Sequence, residues 1–426
     1  MFTEEKKNSQ IFQDSENIYK PADEIETSNF IKEIYKKNLP TEIVGTNTKN
    51  FIGNKLQCAK VLDLSRLSGI VEYLPEELYI KVKACTPISL IEESLEKNNQ
   101  QLAFEPIDFG YLKDSKSSKG TAAGQLSCNF SGSRRFKVGS LRDHILGFRG
   151  VNGKGDIIKS GGTVVKNVTG YDLSKLVTGS FGTLTALTEI TFKVLPKKDS
   201  ISTLVIYSED NKVITDLFDQ LLSSSNEISG AVYMPNEPNN KNYTKNIEKI
   251  FKFNNLKSEE PFVAVRIEGS KKSIDERIQD ISQELQTNKM KTSILDFYQS
   301  KLFWEKINNL ELFSGTKNNL LRAVIPPAES LNLMKYLKNN FKYYIDWCGS
   351  LFWIEVLEEE NIQIKAMKEK IINLGGYLTI VKKSESLSSD IDLFTINDTR
   401  LLLSQKIKKS FDPKKLLNPG KMYRDL

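Results

Sequence analysis

Glycine, threonine and lysine occur in this chain where they could bind a phosphorylated ligand. Residues 45–50, with the sequence GTNTKN, follow a short β-branched run at 42–44. A loop after a strand can hold a pyrophosphate through its backbone N–H groups, and this loop adds two hydroxyls and one cation. It matches neither the Rossmann nor the P-loop spacing, so a plain surface turn is an equally good interpretation of these residues alone.

A second stretch, residues 120–196, has the composition of a wall against a flat or phosphorylated ligand. Glycine recurs there at positions 161, 162, 170, 179 and 182, between hydroxyl-bearing and β-branched residues. Glycine lets a backbone approach a ligand closely. Small residues also dominate 117–135, where the backbone could lie against a planar ring system. These stretches predict a nucleotide-cofactor site.

Composition limits the classes of protein to which the chain can belong. Its 426 residues exceed one ordinary core and predict two domains. Apolar residues make up 39% and charged residues 27%, which is typical of a globular protein. The net charge of +6 is spread along the chain and is not gathered into a basic stripe. Nucleic-acid binding is therefore not expected.

The cysteines and the start of the chain indicate the compartment. Cys58, Cys85, Cys128 and Cys348 are far apart and form no CxxC pair, so neither zinc nor an iron–sulfur cluster nor any other metal is predicted. The first residues lack the apolar region of a signal peptide, and no apolar run reaches the length of a membrane span. We expect a reducing, cytoplasmic location with free thiols. Attachment to the inner membrane face through partners is left open.

Hydrophobic periodicity predicts the elements of the first half. Helices are predicted at 29–38 and 88–99, and strands at 42–44, 58–64, on both sides of residues 75–77, and at 183–196. Asn152-Gly153 between two alternating runs predicts a β-hairpin. A short helix after Gly170 is expected to turn Tyr171, Leu173 and Leu176 inward.

Beyond Lys198 the composition of the sequence changes. Predicted helices rich in Lys, Asn and Glu alternate there with predicted strands rich in β-branched and aromatic residues. This pattern predicts a mixed sheet with helices on one face. Residues 233–246 are interpreted as a loop, and residues 270–286 as an amphipathic helix. Both halves combine helices with strands, so the fold class is α+β.

Seven motifs occur in a fixed order: GTAAG, NFSGSRR, GSLRD, LGFRG, the NGKG hairpin, KNVTGYDLSKLVTGSFGTLTALTEITFKVLP and FDPKKLLNPGKMY. In this order they resemble the FAD-linked oxidases of the vanillyl-alcohol oxidase (PCMH-type) superfamily, and within it the E-subunit group of bacterial glycolate oxidases. The resemblance implies a PCMH-type FAD-binding domain of two α+β subdomains at 17–197. It also implies an α+β cap domain with a mixed sheet at 198–405 and a C-terminal segment, 406–426, that returns to the FAD domain.

The resemblance assigns cofactor contacts position by position. The loop similar to the pyrophosphate-binding one consists of Gly45, Thr46, Asn47, Thr48, Lys49 and Asn50. The residues similar to the segment along the ribityl chain and the flavin are Thr121, Gly124, Asn129 and Gly132. Glu189 and Ile190 resemble the strand that meets the adenosine end, while Asn418 and Lys421 resemble the segment that closes over the flavin. Ala123 stands where relatives often have a first glycine before Gly124.

Two further features of the first half bear on FAD. The string Lys166, Asn167, Tyr171 and Asp172 could orient the cofactor, but a helix cap at Asp172 and a core position for Tyr171 are preferred. Some relatives attach FAD covalently through histidine. His144, the single histidine, lies in a stretch unlike their attachment motifs, so we expect a half-exposed packing residue and non-covalent FAD.

The cap should supply groups for the substrate. Arg322 and Asp346-Trp347 lie at predicted strand ends and resemble marked positions of the family. A guanidinium binds a carboxylate in a bidentate fork, so Arg322 is the candidate catalytic residue, although an ordinary ion pair is an equally good interpretation. Superfamily members that oxidise 2-hydroxy acids directly place two cap histidines and an acid around a metal. The cap of this chain has no histidine.

The implied function is that of the FAD-binding subunit of a glycolate oxidase complex. Together with a catalytic FAD subunit and an iron–sulfur subunit it would take part in oxidising glycolate to glyoxylate. Its own FAD would be an electron relay or a structural support. Two alternatives stay open: a self-sufficient FAD-dependent 2-hydroxy-acid dehydrogenase, and a cofactor-poor scaffold subunit.

Overall fold

The structure is a computed structural model that describes residues 17–114, 117–163, 170–235, 241–287, 290–338, 340–424 and 426. Lys166 and Asn167 of the distinctive string lie outside the described residues. Helices and strands are mixed in both halves of the chain, so the expected α+β class is confirmed. No helix in the described ranges is long and apolar enough to cross a membrane.

The first half contains three small sheets. Strands β1 and β2 flank β3 in a parallel sheet, β4-β5-β9-β7-β8 form an antiparallel sheet, and β6 pairs with β10. The strands are β1 Ile18–Tyr19, β2 Thr41–Val44, β3 Lys60–Asp63, β4 Ile70–Leu74, β5 Tyr79–Lys83, β6 Gln100–Gln101, β7 Ile145–Asn152, β8 Ile157–Gly161, β9 Thr185–Lys193 and β10 Leu195–Pro196. The helices are α1 Glu24–Lys37, α2 Ile88–Glu96, α3 Gly110–Asp114, α4 Ala122–Cys128, α5 Arg135–Val138 and α6 Leu173–Val177.

The second half is built on one eight-stranded sheet in the order β14-β11-β13-β12-β16-β17-β15-β18. Its strands are β11 Ser200–Tyr207, β12 Gly230–Met234, β13 Phe262–Gly269, β14 Lys291–Leu295, β15 Asn319–Val324, β16 Lys342–Asp346, β17 Leu351–Val356 and β18 Tyr377–Lys382. The helices are α7 Asn211–Ser223, α8 Lys241–Ile250, α9 Lys271–Thr287, α10 Phe297–Asn308, α11 Ser330–Leu337, α12 Asn361–Asn373 and α13 Asp398–Phe411.

The sequence predicts a mixed sheet for the second half, and this prediction is wrong. Every strand pair of the eight-stranded sheet is antiparallel. The reason is that α7 and α9, like α11 and α12, connect strands that lie two places apart. The strand between them runs in the opposite direction. The sheet is thus two βαββαβ units placed side by side, although no repeat is evident in the sequence.

Some local predictions are confirmed and others are wrong. The Asn152-Gly153 hairpin joins β7 to β8. Tyr171 is 92% exposed instead of buried, because α6 buries Ser174 and Val177. The stretch 233–246 is not wholly a loop, since β12 extends to Met234 and α8 begins at Lys241.

The two halves share a core and a buried charge cluster. Ile107 and Phe130 of the first half belong to the same apolar cluster as the eight-stranded sheet. Glu105 accepts hydrogen bonds from Nη1 and Nη2 of Arg266 in β13, at 2.7 and 3.2 Å, and it also pairs with Arg134. Although burial opposes ionisation, the two arginines hold the pKa of Glu105 below its usual range. These contacts fix the eight-stranded sheet against the first half. The domain limits 17–197, 198–405 and 406–426 stay a prediction.

Candidate cofactor site

A cleft that is partly open to solvent lies where the small sheets of the first half meet the C-terminal segment. Its walls come from the end of β2, the loop after it, the first turn of α4, the start of β9 and the last residues of the chain. The predicted residues among its lining are Gly45, Thr46, Asn47, Thr48, Lys49, Asn50, Thr121, Gly124, Asn418 and Lys421.

The loop at residues 45–50 has free hydrogen-bond donors. It lies in no helix or strand, and Asn47 has a left-handed φ of 55°. Within the described part of the chain, nothing accepts a hydrogen bond from the six backbone N–H groups of this loop. Successive unpaired N–H groups in such a loop are a site for an anion. The loop therefore has the donors that a diphosphate requires.

Two buried ammonium groups border the same cleft. Lys49 and Lys421 are each 8% exposed. Lys49 Nζ donates to the carbonyl of Lys119 at 2.9 Å, and Lys421 Nζ donates to the carbonyl of Asn50 at 3.0 Å. Neither ammonium is paired with a carboxylate of the residues that the structure describes, and burial lowers the pKa of both. A bound anion would supply the missing counter-charge.

Close backbone contacts hold the α4 side of the cleft. Thr121 caps α4 by accepting a hydrogen bond from the N–H of Gly124. Gly120 has a φ of +73°, and a Cβ there would lie 2.4 Å from Thr48 Oγ1 and 2.8 Å from Lys49 Nζ. Only glycine permits this approach of the α4 segment to the loop.

The C-terminal segment forms the opposite wall. Asn418 Oδ1 accepts a hydrogen bond from the N–H of Ile43 at 2.7 Å, and Asn418 Nδ2 donates to the carbonyl of Phe181 at 2.8 Å. A Cβ on Gly182 would lie 2.6 Å from that Nδ2. One amide side chain thus joins β2, the 181–182 turn and the end of the chain.

Several predicted residues do not line the cleft. Asn129 ends α4 in a left-handed conformation and accepts a hydrogen bond from the N–H of Arg142. Gly132 packs against Glu105 and Asn308 at the junction with the eight-stranded sheet. Ile190 is fully buried in β9. Glu189 borders a separate cavity with Lys81 and Arg149.

Sequence reasoning assigned none of Cys85, Ser127, Cys128, Phe181, Thr185 and Leu187 to the site individually, although all but Cys85 lie in the two predicted wall stretches. Gly182, one of the glycines of the second stretch, does line the cleft. The glycines around Phe181 were a signal for that turn. No motif marked Cys85, which lies in the turn after β5, where its N–H donates to the carbonyl of Leu67. The expected half-exposure of His144 is also wrong, because this residue is 3% exposed. Its ring packs against Phe104, and it does not line the cleft.

Arg322 lies at the junction of the two halves, outside the lining of the cleft. Its guanidinium is 5.0 Å from the ring centroid of Trp347 and 5.3 Å from that of Phe130. Its Nε has no hydrogen-bond partner, and burial lowers the pKa of Arg322 to about 10. The guanidinium is thus held by aromatic faces and lacks a full set of acceptors.

Asp346 is a second unusual group at this junction. It accepts hydrogen bonds from Ser133 Oγ at 2.7 Å and from the N–H of Trp347 at 2.6 Å. Burial raises the pKa of Asp346 to about 7 in spite of these bonds. The carboxyl group therefore changes its charge near neutral pH.

With this geometry in view, comparisons with known proteins identify the cofactor. Residues 16–161 match a protein family described as FAD binding domain. The chain is an FAD-dependent oxidoreductase. The unpaired N–H groups of the loop and the two buried lysines fit the diphosphate of FAD.

The chain is similar along most of its length to curated and solved proteins. It is 29% identical to glycolate oxidase subunit GlcE of Escherichia coli (strain K12), over 91% of this chain and 93% of that protein. It is 26% identical to glycolate oxidase subunit GlcD of Bacillus subtilis (strain 168), over 75% of this chain and 72% of that protein.

Two solved structures share the fold. p-Cresol methylhydroxylase with substrate bound has a TM-score of 0.70 at 15% identity, covering 96% of this chain and 88% of that one. Alkyldihydroxyacetonephosphate synthase has a TM-score of 0.66 at 17% identity, covering 95% of this chain and 76% of that one. The expected PCMH-type fold is therefore confirmed.

Gly120→Ala tests the cleft. We expect FAD affinity to fall by about tenfold or more, because the new methyl group displaces Thr48 and Lys49 and strains a positive φ. The measurement is a titration of the apoprotein with FAD, followed by flavin fluorescence. Gly69→Ala is the matched control, since Gly69 also has a positive φ, +121°, but no atom lies within 4 Å of its Cβ position. Equal losses in both variants would contradict the account.

Asp346→Asn tests the buried carboxyl group. Between about pH 4 and 7 the folded protein keeps a proton on Asp346 that the unfolded chain releases, so this group's contribution to stability is lost as pH rises. Asparagine cannot ionise. We expect the variant to match the parent near pH 4 and to gain up to about 4 kcal/mol in free energy of unfolding above pH 7, measured by urea denaturation.

The control for this prediction is Asp390→Asn. Asp390 is exposed, and Lys365 and Ser388 lower its pKa to about 2, so its removal should give no gain above pH 7. A parent and an Asp346→Asn variant with the same stability at pH 8 would show that Asp346 does not titrate as described.

Proposed function

We propose that this chain is the FAD-binding subunit of a glycolate oxidase complex. In this complex a catalytic FAD subunit oxidises glycolate to glyoxylate, and an iron–sulfur subunit carries electrons onward. The observation that carries the proposal is the similarity to the Escherichia coli subunit, which spans nearly the whole of both chains. FAD supplies the redox chemistry, and the chain's residues set its position and its electrostatic surroundings.

Roles follow for the residues that line the cleft. The N–H groups of the loop at 45–50, together with Lys49, bind the diphosphate. Thr121 and Gly124 place the backbone of α4 beside the ribityl chain and the ring, while Asn418 and Lys421 close the far side. Asn129, Gly132, Glu189 and Ile190 take no part in this placement, because none of them lines the cleft. FAD is held without a covalent bond, which is supported by the burial of His144 away from the cleft.

The position of Arg322 favours oxidation of glycolate in the partner. Its guanidinium is covered by Trp347 and Phe130 and does not border the cleft. The only histidine of the chain, His144, has its ring against Phe104 and a pKa lowered by burial, so it does not serve as a base for substrate. The FAD of this chain then relays electrons or supports the complex.

One observation favours a second candidate, a self-sufficient 2-hydroxy-acid dehydrogenase. Arg322, with its unpartnered Nε, lies at the same junction as Asp346, whose pKa is near 7. A guanidinium can bind a carboxylate, and a carboxyl group that titrates near neutral pH can accept a proton. This candidate requires a path from the junction to the flavin.

Anaerobic mixing with glycolate separates the two candidates. We expect the purified, FAD-loaded chain to stay yellow with glycolate alone and to be reduced only when the co-purified catalytic subunit is added, as followed by absorbance at the flavin band. Arg322→Met should behave in the same way as the parent. Rapid bleaching of the isolated chain, lost in Arg322→Met, would overturn the proposal in favour of the self-sufficient dehydrogenase. If the chain, once separated from added free FAD, shows no flavin absorbance, only the scaffold alternative would be left.

A further inference from the structure

Helix α13 is held to the molecule by a charged residue. Lys408 is the one residue of this helix that is buried, at 2% exposure, whereas Leu402 and Leu403 are 59% and 58% exposed. Lys408 pairs with Asp412, which is fully buried, at 2.9 Å. Buried lysines are rare because desolvation of the ammonium is costly. A buried ion pair in place of an apolar contact therefore needs a specific explanation.

The ammonium of Lys408 joins three segments. It donates to the carbonyl of Thr183 at 2.6 Å, to the carbonyl of Leu417 at 2.8 Å and to Asp412 Oδ2 at 2.9 Å. Asp412 Oδ2 also accepts a hydrogen bond from the N–H of Leu417 at 2.7 Å. All three protons of the ammonium are used, whereas Asp412 Oδ1 is buried without a hydrogen-bond partner.

The residues reached by Lys408 are next to the lining of the cleft. Thr183 follows Gly182, and Leu417 precedes Asn418. The ammonium thus connects the carbonyl groups behind two adjoining walls of the cleft. Asn418 makes a second connection between the same walls through its bond to the carbonyl of Phe181.

The β7–β8 hairpin packs behind this pair. The N–H of Gly153 donates to the carbonyl of Phe411 at 3.0 Å, and a Cβ on Gly153 would lie 2.4 Å from the carboxyl group of Asp412. The hairpin therefore leaves room for Asp412 only because residue 153 is glycine. Four segments meet at one ion pair, although neither of its members lines the cleft.

We propose that Lys408 and Asp412 are positioning residues for FAD, which hold the C-terminal segment against residues 181–183 so that Asn418 and Lys421 stand at the cleft before the cofactor binds. The inference rests on the proposed placement of FAD in this cleft. A merely structural pair would change the stability of the apoprotein and leave the affinity of the folded chain for FAD unchanged. A positioning pair changes both the affinity and the local order of residues 416–421.

The test uses Lys408→Met and Asp412→Asn in the full chain. Methionine removes the ammonium, while asparagine keeps an oxygen for the Leu417 N–H and is the milder change if the first variant does not fold. The matched control is Lys342→Met in the eight-stranded sheet, because Lys342 also pairs with a carboxylate, Glu355 at 3.2 Å, and donates to a carbonyl, Leu312 at 2.9 Å.

Three quantities are measured: the dissociation constant for FAD, its dissociation rate, and hydrogen exchange of the amides of Leu417 and Asn418 without FAD. We expect about tenfold or greater weakening of FAD binding, faster release of FAD and faster exchange in both variants. We expect none of these changes in Lys342→Met, even if its melting temperature falls. Folded variants that bind FAD within twofold of the parent would overturn the inference. Failure of the parent itself to bind FAD would instead contradict the proposed cofactor site.

Discussion

The structure around the cleft depends on two buried positive charges that have no carboxylate partner among the described residues. Desolvation of Lys49 and Lys421 disfavours their charged forms, and the unpaired N–H groups of residues 45–50 add to the positive potential. A negatively charged ligand would stabilise the two ammonium groups and also accept hydrogen bonds from the unpaired N–H groups. The first turn of α4, the glycine at 120 and the C-terminal segment are arranged around this requirement.

The cleft is assembled from distant parts of the sequence. Asn418 and Lys421 follow an eight-stranded sheet of about half the chain, yet Asn418 bonds to Ile43. Two buried charged clusters fix the later parts of the chain against the first half. The Glu105 and Arg266 cluster holds the sheet against the first half, and Lys408 with Asp412 holds the last residues against the cleft. The cofactor site thus joins both ends of the described chain, and Arg322 lies outside its lining.

Much of the site could be predicted from sequence, because the loop at 45–50 and the Asn152-Gly153 hairpin are local signals. Helix α4 was missed, since small residues resemble a loop and its cap at Thr121 is visible only with the backbone. The antiparallel pairing of the eight-stranded sheet and the places of Glu189 and Ile190 were not predictable in this way. Strand order and the face on which a residue lies depend on pairing between distant segments. Tyr171 shows the same limit, because the sequence pattern predicted the short helix α6 but not that Tyr171 would precede this helix and be exposed.

The most direct measurement is the affinity of the apoprotein for FAD compared with riboflavin, which has the same ring system but no diphosphate. If the buried lysines and the loop exist to bind the diphosphate, FAD should bind about a hundredfold or more tightly than riboflavin, and added salt should narrow the difference. Equal affinities at low salt would contradict the account, because the ring alone would then carry the binding.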